Sequence, residues 1–248
     1  MNGEALRGET SQYAATSLRI AYCHGLETLF ALLGACIQAP DCVVGWLQKY
    51  SIGQLRKLVC AIFNRRNKIR SKLNVQSVTM EELSGSINQF DLADEKEIQG
   101  LFSTLWYRFA GDYLNKNLIA EYNSLKHGFR VNPGGFNLMV GPESTPGVAA
   151  PADRMTSLGS SEFGSSFYLI EGIGIEEDRR NSTHFRLKTN SLNWDPEGMA
   201  MGLRLISISL NNILSYLKLL NGSSEEVKLR YPCDESFLTY HGVPREAV

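Results

Sequence analysis

The chain has 248 residues, 43% of them hydrophobic and 21% charged, with a formal net charge of −1. This length is enough to bury a sizeable core, and the composition is that of an ordinary globular protein. The near-zero charge excludes a globally basic nucleic-acid binder, so any contact with phosphate must come from a local patch.

Ser11 is expected to cap a first helix that runs to about Ala39, with Leu18, Leu26, Leu29, Phe30, Leu33 and Ile37 at helical spacing and Pro40 as its stop. The most apolar run, residues 26 to 39, is expected to be too short and too interrupted to span a bilayer core of about 30 Å. No apolar segment follows a basic start at the N-terminus, as a secretory signal would require. The five cysteines (Cys23, Cys36, Cys42, Cys60 and Cys233) match neither zinc-ribbon nor C-x-x-C spacing, and three of them sit in apolar helical sequence. Free thiols used as small hydrophobes suit a reducing compartment. The expectation is a cytoplasmic protein with no membrane contact, no metal and no cofactor.

A short helix around Trp46 and Leu47 follows, and Ser51 caps another that places Leu55, Leu58, Val59, Ile62 and Phe63 on one face. The sequence then turns basic: seven Lys or Arg and no acid lie between Leu55 and Leu73. Thr79 with Glu82 forms a capping box that opens a helix to about Phe90, and Asp94 with Glu97 repeats the signal. From there apolar residues recur at three- and four-residue steps to His127. Unbroken, those roughly 34 residues at ~1.5 Å each would give about 50 Å of helix, with Gly100 and Gly111 as places for a kink.

After Gly128 the period changes from helical to strand-like. "FRV", the turn "NPGG" and "FNLMV" predict a β-hairpin. Residues 141 to 166, rich in Pro, Gly and Ser, predict a long mobile loop. "SFYLIEGI" and "HFRLKTNSL" predict two further strands. Asp195 and Pro196 open a last long helix, with Trp194 expected to staple onto Met199, and Gly222 ends it. The tail is expected to add one more strand. The fold class is therefore α+β, mainly α: one domain over 1–248, with a helical part at 11–127, a small antiparallel β insertion at 128–192, a last bundle helix at 195–221 and a tail at 223–248.

Three groups of residues could carry chemistry. Asn123 and His127 are four apart and share a helix face, and an imidazole with an unperturbed pKa of about 6.5 suits acid–base work near neutral pH. The same Lys126, His127 and Gly128 also read as an ordinary helix stop, because cations favour a helix C-terminus. Arg19, His24 and Glu27 put polar groups into an apolar helix, where they must find partners in a buried network or in a site shared with the Lys126–His127 region. The basic run supplies Arg65, Arg66, Lys68 and Arg70, and Arg130 adds a cation near His127. These could contact phosphates, or they could be a solvated face opposite the acids from Glu81 to Glu97. Arg179 and His184 repeat the Arg-x4-His spacing of Arg19 and His24, in sequence that reads as a loop. Phosphate loops, nucleophile elbows and H-E-x-x-H motifs are absent.

The stretch "YNSLKHG", residues 122 to 128, resembles the HEPN family of small helical domains. Its ribonuclease members carry Arg, a polar residue that is often Asn, a few further residues and then His, often followed by Gly. Asn123, His127 and Gly128 match in type and spacing, while Tyr122 stands at the position of the Arg. The resemblance covers seven residues and the helical character of the chain. It implies metal-independent RNA cleavage at a homodimer interface, with His127 assisting proton transfer at a ribose 2′-hydroxyl. The family's Arg would stabilise the phosphate in the transition state; here Lys126, Arg130 or Arg108 would have to take that role. Asn123, Lys126 and His127 are thus the candidate catalytic residues, and His24, Glu27 and Tyr122 the supporting polar network. The resemblance further implies a protein of prokaryotic type that binds or cleaves RNA, or binds a nucleotide, within a toxin or defence system. The alternative is a non-catalytic interaction protein that meets a protein partner through a helical dimer or docking surface.

Overall fold

The computed structural model describes residues 3–65, 69–70, 77–89, 95–127, 130–173, 184–223 and 228–232. The fold is α+β and mainly α, with small antiparallel sheets. Contacts divide the chain into two compact units, one holding Met1–Arg19 and Ala120–Pro196, the other Ile20–Ile119 and Glu197–Pro244.

The second unit is helical. It contains most of α1 (Gly3–Gln38), then α2 (Val43–Lys49), α3 (Ile52–Phe63), α4 (Met80–Ile87), α5 (Glu95–Leu114) and nearly all of α7 (Pro196–Leu220). Helix α1 starts well before Ser11, so that residue is an interior helical position and not the expected cap. The preceding Glu4, Ala5, Leu6 and Arg7 are good helix formers with no breaker among them. The helix is also longer than the apolar run read from sequence: over Ser11–Gln38 it is long and apolar enough, by length and composition, to cross a membrane. The most apolar window of that stretch is 67% buried inside the protein, as a core helix is.

The expected Ser51 cap and the expected Thr79–Glu82 capping box both form, and Ser51 proves to be a full box with Gln54. The Ser51 hydroxyl accepts from the Gln54 backbone N–H at 3.2 Å while the Gln54 side chain accepts from Ser51 N–H at 2.8 Å. Thr79 and Glu82 do the same at 3.0 and 2.8 Å. Asp94 lies outside the described residues. The long helix expected from there to His127 is broken, at neither of its glycines: α5 ends at Leu114 and α6 (Lys116–Lys126) begins after Asn115. The Asn115 Oδ1 accepts from the backbone N–H groups of Asn117 and Leu118 at 3.0 and 3.3 Å, which caps a new helix from within the apolar pattern.

Leu29, Phe30, Leu33, Leu55, Ile62, Phe102, Trp106 and Phe109 are fully enclosed and form the core of this unit. Helix α7 lies against α1, since a β-carbon on Gly25 would meet Leu203 and Ile206 at 3.3 to 3.4 Å. The Trp106 indole N–H donates to the Ser209 hydroxyl at 3.1 Å and ties α5 to α7. Gly222, at φ +76°, ends α7 as expected. The described part of the tail is not a strand. Instead the Asn212 side chain holds it, accepting from Arg230 N–H at 2.8 Å and donating to Arg230 C=O at 2.7 Å.

Burial also sorts the thiols. Cys36 is buried and its pKa is pushed up to about 12 by desolvation, while Cys42 is exposed. Only a thiolate attacks a disulfide reagent. At pH 8 a native-state reaction with an aromatic disulfide should therefore label Cys42 within minutes. Cys36, with about one thiol in 10⁴ ionised at that pH, should label only after unfolding.

The first unit carries the β structure: β3 (Val131–Pro133), β4 (Phe136–Val140), β5 (Thr156–Ser161), β6 (Gly164–Ile173) and β7 (His184–Asn193). A two-residue pair, β1 (Ile69–Arg70) and β2 (Ser77–Val78), belongs to the helical unit and brackets part of the basic run. The expected hairpin across "NPGG" does not form. Strand β3 pairs with β6 and β4 pairs with β5, so Gly134 and Gly135 carry the chain from one sheet to the next. Gly135 is required there, because a β-carbon would lie 2.2 Å from the Ser161 carbonyl oxygen. The predicted loop of 141 to 166 is also shorter than expected, since β5 and the start of β6 lie within it. The two further strands expected are present as β6 and β7, which pair antiparallel over ten residues, Gly164↔Asn193 to Ile173↔His184. His184 opens β7, while Arg179 lies outside the described residues.

Candidate functional site

Helix α6 divides its residues sharply. Glu121, Tyr122, Ser124 and Leu125 are buried, whereas Asn123, Lys126 and His127 are exposed, and Arg130 is exposed just beyond. The 3.6-residue period produces this division: Glu121, Tyr122 and Leu125 point inward together, and Asn123, Lys126 and His127 point outward together. The structure thus places Asn123 and Lys126 on the last turn of α6 and His127 in the turn that follows it. The Lys126 ammonium lies 4.1 Å from the centre of the Tyr122 ring, so Tyr122 serves as an aromatic platform for a cation. Gly128 lies outside the described residues.

The buried side of α6 carries a polar cluster that the sequence hid. The Arg19 guanidinium donates to Glu121 Oε2 from Nε at 2.8 Å and from Nη2 at 2.7 Å. Glu121 Oε1 accepts from the Trp194 indole at 2.7 Å and from the Ser165 hydroxyl. One carboxylate therefore joins α1, α6, β6 and the segment leading into α7, all within the first unit. Arg19 and Glu121 are 2% and 0% exposed, so this guanidinium is committed to a buried ion pair and is not presented to solvent. Trp194, expected to staple onto Met199, uses its indole N–H in this cluster. Glu121 was passed over in the sequence because its partners lie 44 to 102 residues away. The available signal was an acid on the buried stripe of an amphipathic helix.

The chain matches no protein-family model, no curated protein and no solved structure.

The expected supporting network divides between the units, with Tyr122 in the first and His24 and Glu27 in the second. His24 is exposed, and together with Glu27, Thr28, Leu32, Leu47 and Tyr50 it lines an open cleft of about 440 Å³. Trp46 stacks on Tyr50 with centroids 5.8 Å apart and donates its indole N–H to the Ala31 carbonyl at 3.0 Å. The Tyr50 hydroxyl is pushed up by burial and then by the Glu27 charge, and Tyr113 is pushed up to about 12 by the same two causes. Among the described residues, no group of three or more His, Cys, Asp or Glu is placed to hold a metal ion.

Of the basic run, Arg65 is exposed at φ +46°, with its guanidinium 4.8 Å from the centre of the Tyr107 ring. Tyr107 in turn donates to Glu81 at 2.7 Å, and burial together with Glu81 pushes its hydroxyl up to about 12. Arg70 contributes backbone to β1, and Arg66 and Lys68 lie outside the described residues. Tyr107 thus lies between the Arg65 guanidinium and the Glu81 carboxylate.

Proposed function

We propose that the chain is a HEPN-like protein whose α6 terminus binds and cleaves RNA. The observation that carries this reading is the joint exposure of Asn123, Lys126 and His127 at the end of α6, with Arg130 beside them. In the proposed reaction His127 takes the proton of a ribose 2′-hydroxyl, and the 2′-oxygen attacks the adjacent phosphorus. The bond from phosphorus to the 5′-oxygen breaks, leaving a 2′,3′-cyclic phosphate, and the 5′-oxygen takes its proton from water. Lys126 and Arg130 supply the positive charge for the phosphate that the missing Arg would have given. Asn123 orients the substrate by hydrogen bonding.

The test is incubation of purified protein with total RNA in EDTA near pH 7. Wild type is expected to cleave and His127→Ala to lose at least a hundredfold in rate, the usual worth of a general base. Lys126→Ala and Arg130→Ala are expected to weaken RNA binding, each flattening the slope of log affinity against log salt by about 0.7. Intact RNA with wild type rejects cleavage, and binding that ignores salt rejects the cationic patch.

A second reading is a non-catalytic interaction protein, and the placement of Tyr122 favours it. A buried phenol beneath Lys126 stands where the family's nucleases carry Arg. On this reading the helices form a dimer, which sedimentation velocity would reveal as a concentration-dependent mass.

A further inference from the structure

The outer half of the β6–β7 ribbon has no apolar cover. Tyr168, Ile170, Phe185 and Leu187 are 59%, 71%, 66% and 64% exposed. The register places them together, because Ile170 lies opposite Leu187 and Phe185 opposite Gly172, with Tyr168 two residues from Ile170 on the same face. Past Phe167 the ribbon has two strands among the described residues, since the described part of β3 begins opposite Phe167. A two-stranded ribbon in water is marginal by itself, and a contiguous exposed apolar face marks an interaction surface. Among the described residues, strand β7 is also the edge of its sheet.

The charges decide what such an edge accepts. The face opposite the apolar one carries Arg186 and Lys188 on β7, against Glu171 on β6. The Lys188 ammonium is 3.9 Å from the Glu171 carboxylate, with both side chains more than half exposed, and Arg186 sits directly across from the same Glu171. Among the described residues, two cations thus share this acid, and the outermost strand is the cationic one. A second copy adding its own β7 would bring Arg186 and Lys188 against their counterparts, which destabilises a strand pair. A strand with acids at alternate positions meets them favourably, and its intervening residues fall on the side of Phe185 and Leu187.

We propose that the β7 edge docks an extended segment of another protein in which apolar and acidic residues alternate. This deepens the interaction reading and rests on it. The probes are two fluorescein-labelled peptides, one with four Val-Glu repeats and one with four Val-Lys repeats, followed by anisotropy against the full chain at low salt. Wild type is expected to bind the Val-Glu peptide at least tenfold more tightly. The R186E/K188E variant, changed only at exposed positions, is expected to reverse that preference, and Leu187→Ser to weaken both. Binding of neither peptide, or equal binding of both, overturns the proposal. So does a sedimentation dimer that Leu187→Ser dissolves, which would make the occupant a second copy. A dimer that Leu187→Ser leaves intact, together with no peptide binding, removes the β7 edge alone and leaves the interaction reading standing on the helices.

Discussion

Glu121→Ala is expected to cost about 3–5 kcal/mol, the loss seen when one partner of a buried ion pair is removed. The reason lies less in the pair itself than in what its loss leaves behind. Arg19, 2% exposed, would keep its guanidinium in the interior without the Glu121 carboxylate, and Ser165 and Trp194 would lose their acceptor. Each neutral donor left unpaired costs about 1–3 kcal/mol, although the losses share one cavity and do not add. Glu121→Gln keeps the shape and one acceptor oxygen, so it should cost less than Ala while still stranding the cation. Arg19→Met combined with Glu121→Leu removes both charges and should recover a substantial part of the loss, since apolar replacement of a buried pair is often near neutral. Urea unfolding followed by Trp fluorescence checks all three, because the Trp194 indole is itself a member of the cluster. If Glu121→Ala unfolded within 1 kcal/mol of wild type, Glu121 would not fasten the first unit.

That cluster marks where sequence reasoning stops. Helices were legible because their information is local: Ser51 alone, and Thr79 with Glu82, announce helix starts within four residues, and both caps form. Asn115 was not, because Leu114 and Leu118 keep the apolar phase across the break, and only the asparagine's own capping bonds reveal it. Strand pairing is non-local, and the sequence was weakest there. "TSLGSS" contains a single large apolar residue, Leu158, and so read as loop, although it pairs along its length with "FNLMV". The Pro-Gly-Gly turn chemistry of "NPGG" suits a hairpin equally well, and only the β3–β6 and β4–β5 pairings show that the chain changes sheet there. At the candidate site the outward face of α6 followed from period alone. Its inward anchor depends on Arg19, 102 residues earlier, and no local pattern names that partner.

In the second unit the corresponding position is Trp106, and Trp106→Ala is also expected to cost about 3–5 kcal/mol. The side chain is fully buried, its ring centre lies 6.2 Å from that of Phe102, and its N–H reaches Ser209 on α7. Truncation removes the largest enclosed side chain among the described residues and opens a cavity in a close-packed core. The hydrogen bond is the smaller part of the effect. Ser209→Ala, which leaves the indole N–H unpaired but the volume intact, should cost about 1–3 kcal/mol. Trp106→Phe should fall between the two, since it keeps a ring, loses the donor and leaves the buried Ser209 hydroxyl to find another partner. This order, Ala worst, Phe intermediate and Ser209→Ala mildest, separates a packing anchor from a polar latch. A Ser209→Ala loss equal to that of Trp106→Ala would mean that the α5–α7 contact is held by its hydrogen bond and not by the volume of the indole.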